Sequence, residues 1–274
     1  MVGVINVLIS AEDIVPLLFL ALPFGYFLYI VFYTLDLFFL NPFKRIPPLT
    51  EKEERLIASQ LPFFNQLSIS KKEKFKKRVV RFRKRKKIDF HEDVEEREKI
   101  TLLLSATAAM LTLGMADFLI LSIKRVIVYP TQYYSRITKK DHYGEYNPGL
   151  KTIVFSADHL LEGFRIPNDN RNLAVHEFAH AISFNVANKF YTRSYVFLLG
   201  LKKIKWLFKN PEFNRKMEES GYFRAYGKTN VHEFFAVAVE NFVETPEVFE
   251  NQFPKLYRII KRMLNFGFYR MPEF

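Results

Sequence analysis

The chain contains no cysteine. Disulfides are therefore excluded, and so are Cys-ligated zinc, iron–sulfur clusters and a thiol nucleophile. Glycine is also sparse, at 10 of 274 residues, and tryptophan occurs once. None of those glycines forms a phosphate-cradling loop after an expected strand, which argues against nucleotide chemistry. The third deficit is local. All 41 Lys and Arg fall after residue 43, whereas the first 43 residues carry only three charged groups, Glu12, Asp13 and Asp36. An apolar, slightly acidic head precedes a strongly basic body.

What the head holds instead is "IVPLLFLALPFGYFLYIVFYTL", Ile14 to Leu35, 22 residues without a charge. About 20 apolar residues span a bilayer core as a helix, and Pro16, Pro23 and Gly25 are tolerated in lipid better than in a water-exposed helix. A signal peptide fits less well, because there is no basic n-region and no A-x-A site follows. Residues 1–43 are thus expected to form a single N-terminal transmembrane anchor. Residues 44–60 ("KRIPPLTEKEERLIASQ") read as a linker, and 61–274 as the body. Lys44, Arg45, Lys52 and Arg55 place the body on the cytoplasmic side by positive-inside bias. A second apolar run, Ile100 to Ile123, carries Asp117, several small residues and Gly114; it reads as a buried helix followed by a break rather than a second span.

Between Lys71 and Lys87 stand twelve Lys or Arg against one Glu. Phe75, Val79 and Phe82 recur at helical spacing, and Ser70 with Glu73 has the spacing of a capping box. Three readings are open for this run: a solvated face of an amphipathic helix, attraction to anionic lipid, and nucleic-acid binding, the last unsupported by any recognition motif. Further on, Val126, Ile127 and Val128 mark a strand ending at Pro130. Thr152 to Phe155 marks another, followed by a short helix capped by Ser156. Segments 172–190 and 231–244 read as helices. The expected fold class is α+β, mainly helical, with a small sheet near the middle.

Chemistry concentrates in "LAVHEFAHAIS", residues 173–183. His176, Glu177 and His180 stand in the order H-E-x-x-H. On a helix, positions i and i+4 share a face, so both imidazoles can meet one zinc ion, while Glu177 stands beside them as general base toward a metal-bound water. Leu173, Ala174, Ala179 and Ile182 make the helix a buried one, where two histidines and a glutamate need polar partners. A third ligand is required. His91, His142, His159 and His232 are candidates by type, but a more informative segment is "YGKTNVHEFFAVAVENFVETPEVF". Capped by Thr229 or Asn230, this helix brings Glu233, Ala236 and Glu240 onto one face among Phe and Val. Glu233 or Glu240 is then the expected third ligand, with His232 pointing about 100° away from Glu233.

"VIVYP", "IVFSADHLLEG", "RNLAVHEFAHAI" and "YGKTNVHEFFAVAVENFVETPE", in this order, resemble the MtfA family of zinc peptidases, whose catalytic core is similar to the lethal-factor-type metallopeptidases. The likeness runs from about Leu61 to Glu250. It implies a zincin-like domain with His176, His180 and Glu233 as ligands of Zn2+ and Glu177 as general base. Tyr226 would donate its hydroxyl to the oxygen that gains charge, and Glu240 would orient a ligand histidine. Where relatives carry Asp after the second histidine, this chain has Ser183. An extended peptide is expected to lie along the strand Thr152–Phe155. The leading expectation is a membrane-anchored zinc peptidase acting on peptides, an aminopeptidase by the resemblance. The alternative is a regulatory module that sequesters a protein partner such as a transcriptional repressor.

Overall fold

The computed structural model describes residues 21–31, 47–135, 138–187, 192–224 and 230–267. By its internal contacts the chain divides into residues 1–47 and residues 48–274. In the first unit residues 21–31 form a helix, α1, with all but Val31 exposed. The remainder of the expected anchor, residues 14–20 and 32–35, lies outside the described residues. Among the described residues no helix is long and apolar enough to cross a membrane.

The second unit contains helices α2 (Glu51–Gln60), α3 (Ile69–Arg85), α4 (Arg97–Leu111), α5 (Ala157–Arg165), α6 (Leu173–Ala187), α7 (Thr192–Leu207), α8 (Pro211–Ser220), α9 (Val231–Glu244), α10 (Pro246–Gln252) and α11 (Pro254–Leu264). Its strands are β1 (Lys87–Phe90), β2 (Arg125–Tyr129), β3 (Tyr133–Ser135), β4 (Lys140–His142), β5 (Gly144–Asn147) and β6 (Thr152–Ser156). The architecture is α+β and mainly helical, with a four-stranded sheet ordered β1-β2-β6-β5 and a separate β3-β4 ribbon. β1, β2 and β6 run parallel, and β5 is antiparallel to β6. The strand Thr152–Phe155 is therefore internal, flanked on both sides. The edges are β1 and β5, so the expectation that Thr152–Phe155 is the edge along which an extended peptide lies is corrected: β5 covers that side of it. Sequence patterning missed β5 because GEYN lacks the β-branched run that made β6 conspicuous.

The stretch 44–60 is not all linker. Thr50 and Glu53 form a full capping box, with the Glu53 amide donating to Thr50 Oγ1 at 3.3 Å and the Thr50 amide donating to Glu53 Oε2 at 2.8 Å. α2 follows directly and buries Ile57. The expected box at Ser70 and Glu73 is absent: α3 starts two residues earlier, with Ser68 at its N-cap and no side-chain capping bond. Ser156 occupies the N-cap position of α5, again without a capping bond.

Structural partners absorb much of the basic run. Arg83 pairs with Glu53, and Lys76 Nζ lies 3.0 Å from Glu54 and 2.7 Å from Glu73. Arg78 is buried; it donates to the Thr112 carbonyl and, at 2.7 Å, to the Met115 carbonyl, closing the C-terminal end of α4. Burial lowers the Arg78 pKa to about 10, with Arg81 adding to the effect.

α4 buries every residue from Leu102 to Leu111, matching the reading of Ile100 onward as a core helix. Beyond its end, Gly114 lies against the turn after α11. A methyl group there would come within 2.0 Å of the Asn265 carbonyl oxygen. Backbone cannot yield as a side-chain tip can, so Gly114→Ala is expected to cost about 1–3 kcal/mol of folding free energy, measured by urea unfolding. An unchanged midpoint would contradict this packing.

Candidate active site

α6 passes through the middle of the core, packed on α4, α7, α9 and the β5–β6 end of the sheet. Phe178 faces Phe82 and Phe155 with ring centroids 5.8 and 6.0 Å apart. Those apolar contacts fix the helix so that His176, Glu177 and His180 face a cleft of about 1060 Å³. Asn172 precedes the helix, and its Oδ1 accepts the Val175 amide at 3.1 Å. α9 crosses α6 with Asn230 as its N-cap, Oδ1 accepting from the amides of His232 and Glu233 at 2.9 Å each.

Three donors converge here. His176 Nε2 and His180 Nε2 are 3.1 Å apart, and the two Glu233 oxygens lie 3.5 Å from the first and 3.3 Å from the second. Metal–ligand bonds of 2.0–2.1 Å at tetrahedral angles separate neighbouring donors by about 3.3–3.4 Å. The observed spacings therefore fit one zinc-sized ion, with two neutral nitrogens and a carboxylate of the type zinc accepts. A second gathering, His91, Glu92 and Asp93, is exposed and has the form of an ordinary solvated cluster.

Glu240 lies behind the donors and is almost fully buried. Its carboxylate stands 2.7 Å from His176 Nδ1, accepts the Asn172 amide at 2.8 Å and pairs with Arg224. Accepting Nδ1–H fixes the His176 tautomer with the Nε2 lone pair toward the centre. Burial alone would depress the His176 pKa, but Glu233 and Glu240 outweigh it and raise it to about 10. Hydrogen bonds from His176 and His180 hold Glu233 far below the usual carboxylate range. An incoming cation must displace a proton from this centre, so metal affinity rises with pH.

Glu177 is 6% exposed, and burial pushes its pKa upward despite the two histidines nearby; the Tyr146 amide donates to its carboxylate. β5 approaches closely because residue 144 is glycine. A Cβ at Gly144 would meet Leu173 Cδ1 at 2.7 Å, Glu177 Oε1 at 3.0 Å and Glu177 Cγ at 3.1 Å. Gly144→Ala is expected to displace the Glu177 carboxylate by tenths of an ångström and lower kcat about tenfold or more with little change in the unfolding midpoint. Equal kcat in the two proteins would sever the link between this strand and Glu177.

Tyr226 lies outside the described residues. The other histidines have their own partners: His91 with Asp93 at 3.3 Å, His142 with Thr138 at 2.5 Å and His159 with Asp158 at 3.0 Å. His232 meets Ser183 Oγ at 2.9 Å, so the serine that replaces the expected Asp contacts His232. Burial first, then His180 and Lys205, lowers the His232 pKa. Sequence reasoning missed Arg224, Asn172 and Gly144. Only Asn172 carried a signal, as a capping residue one position ahead of α6.

A family model described as glucose-regulated metallo-peptidase M90 matches residues 43–265. The chain belongs to that family. It is the MtfA family that the four motif blocks resembled, and M90 membership brings with it a metal-dependent peptidase chemistry and peptide substrates. An uncharacterized protein of Synechocystis sp. is 23% identical over 236 residues, covering 78% of this chain and 84% of its own length.

Proposed function

We propose that this M90 member is a zinc peptidase that hydrolyses peptide bonds in the cleft between β5, α6 and α9. The observation that carries the reading is the convergence of His176, His180 and Glu233 at tetrahedral donor spacing with Glu177 one residue along the same helix. Those three side chains would hold Zn2+, and Glu240 would keep His176 in its binding tautomer. When bound, zinc supplies a Lewis acid that polarises the scissile carbonyl and acidifies water. Glu177 accepts the proton from the attacking water and returns it to the leaving amine, and burial, by raising its pKa, makes it a better proton acceptor. Tyr226, by resemblance, donates its hydroxyl to the oxygen that gains charge. As the edge strand beside α6, β5 offers main-chain groups to an extended substrate, which supports strand-wise binding beside Glu177.

Amino-end trimming belongs to this proposal through the family resemblance. So does a single span at residues 14–35 with the catalytic unit in the cytoplasm, supported by the absence of Lys and Arg before residue 44 and their density after it. The test is metal analysis and mass spectrometry of a mixed peptide library, with and without a chelator. Chelator-sensitive cleavage with one zinc per chain is expected. Zinc without cleavage of any peptide would move the reading to a module that sequesters a protein partner.

A further inference from the structure

Basic residues are most concentrated in α3, where exposed lysines mingle with paired ones, but a second positive surface combines charge with exposed apolar groups. α7 and α11 contain no acid. They pack side by side because Gly200 leaves room for Met263, which a Cβ would meet at 2.3 Å. Between them runs a groove of about 460 Å³ with Val196, Leu199 and Ile259 on its floor and Lys203, Lys255, Arg258 and Arg262 on its rim. None of these four cations pairs with a carboxylate among the described residues. Lys202 and Lys205 extend the same sign along α7 and are likewise exposed.

The outward stripe of α7 is not polar. At 100° per residue, Tyr195, Leu199, Lys202 and Trp206 share one face, with Leu198 beside them. Trp206, the chain's single tryptophan, is 66% exposed, Tyr195 65% and Leu198 36%. Large aromatic and aliphatic side chains ringed by long basic ones describe a helix that lies in a lipid interface. The rings sit at headgroup depth, the Lys and Arg stems cover apolar surface, and their charges face anionic headgroups.

We infer that the α7–α11 face docks flat on an anionic lipid bilayer. Three features favour lipid over nucleic acid: the exposed Leu198 beside Tyr195 and Trp206, the aliphatic groove floor and the absence of any recognition motif, since a phosphodiester chain would leave that apolar surface uncovered. The long uncharged stretch Ile14–Leu35 in the same chain points to a bilayer as well. Docking would hold the catalytic unit against the membrane by a contact separate from that segment, and it does not depend on the cleft being catalytic.

Trp206 makes the inference testable in the full-length chain, because all tryptophan emission comes from this face. The protein is mixed with vesicles of phosphatidylcholine alone and with vesicles that also contain phosphatidylglycerol. Both accept an apolar segment equally, so insertion of residues 14–35 cancels in the comparison. The expected result is a blue shift, and quenching by brominated lipid, only with the anionic vesicles, both reversed by high salt. The triple variant Lys203→Glu/Arg258→Glu/Arg262→Glu should need at least about tenfold more anionic lipid for half the Trp206 blue shift while keeping its unfolding midpoint and metal content. Should that variant fail to fold, Tyr195→Ser/Leu198→Ser takes its place with the same expected loss of partitioning. Identical emission with both lipids would overturn the inference, as would a tryptophan that responds to a duplex oligonucleotide and not to anionic vesicles.

Discussion

Glu177→Gln is expected to bind its metal as the parent does and to lose peptide hydrolysis by about 10²–10⁴-fold in kcat, the range that general acid–base catalysis supplies. Glutamine keeps the size of the side chain and can still accept the Tyr146 amide through its carbonyl oxygen, so β5 and α6 keep their approach. What it cannot do is take a proton. Because Glu177 is not one of the three converging donors, the substitution separates metal binding from turnover. It also removes a buried carboxylate that is held against a desolvation cost and lies close to Glu233, so folding stability should rise slightly or stay level. Parallel measurement of kcat, metal content and the urea-unfolding midpoint checks all three statements. A kcat within a few-fold of the parent's would remove Glu177 from the mechanism.

Glu240→Gln should act in the opposite way, on the metal and the fold before the chemistry. One carboxylate serves the His176 ring, the Asn172 amide and Arg224 together. Partners that orient a ligand histidine typically contribute 10–100-fold to metal affinity, so zinc should bind about 10–100-fold more weakly, read by competition with a chromogenic chelator. Arg224 then faces a neutral amide. Its side chain is 34% exposed, so water recovers part of the loss and about 1–3 kcal/mol of stability should go. Excess zinc should restore most of the turnover, a rescue that Glu177→Gln will not show. Unchanged zinc affinity would mean that Glu240 is only a core ion-pair partner.

Much of the site was legible because helices report their faces locally. The i, i+4 spacing of His176 and His180 and the seven-residue step from Glu233 to Glu240 each confine their groups to one side of a helix, and Asn230 marked where α9 begins. Which of the two glutamates meets the histidines was a tertiary question. α9 crosses α6 so that its first turn reaches both Nε2 atoms, while Glu240 meets the other nitrogen of His176. Sheet order was less legible. Thr152–Phe155 stood out by its β-branched residues, but nothing local distinguishes an internal strand from an edge, and β5 pairs through backbone groups that every sequence possesses. Arg224 was hidden for a related reason: its partner stands 16 residues away on another element. The basic run misled in a different way. Charge density along a sequence does not reveal which cations are spent internally, as Arg78 and Arg83 are.

The central claim is a single zinc held by two histidines and a glutamate. Anomalous diffraction from crystals of the zinc-loaded protein, recorded on both sides of the zinc absorption edge, tests it most directly. The account predicts one peak about 2.0–2.2 Å from His176 Nε2, His180 Nε2 and a Glu233 oxygen. A peak at His91–Asp93 instead, or none between α6 and α9 in protein that cleaves peptides, would contradict it.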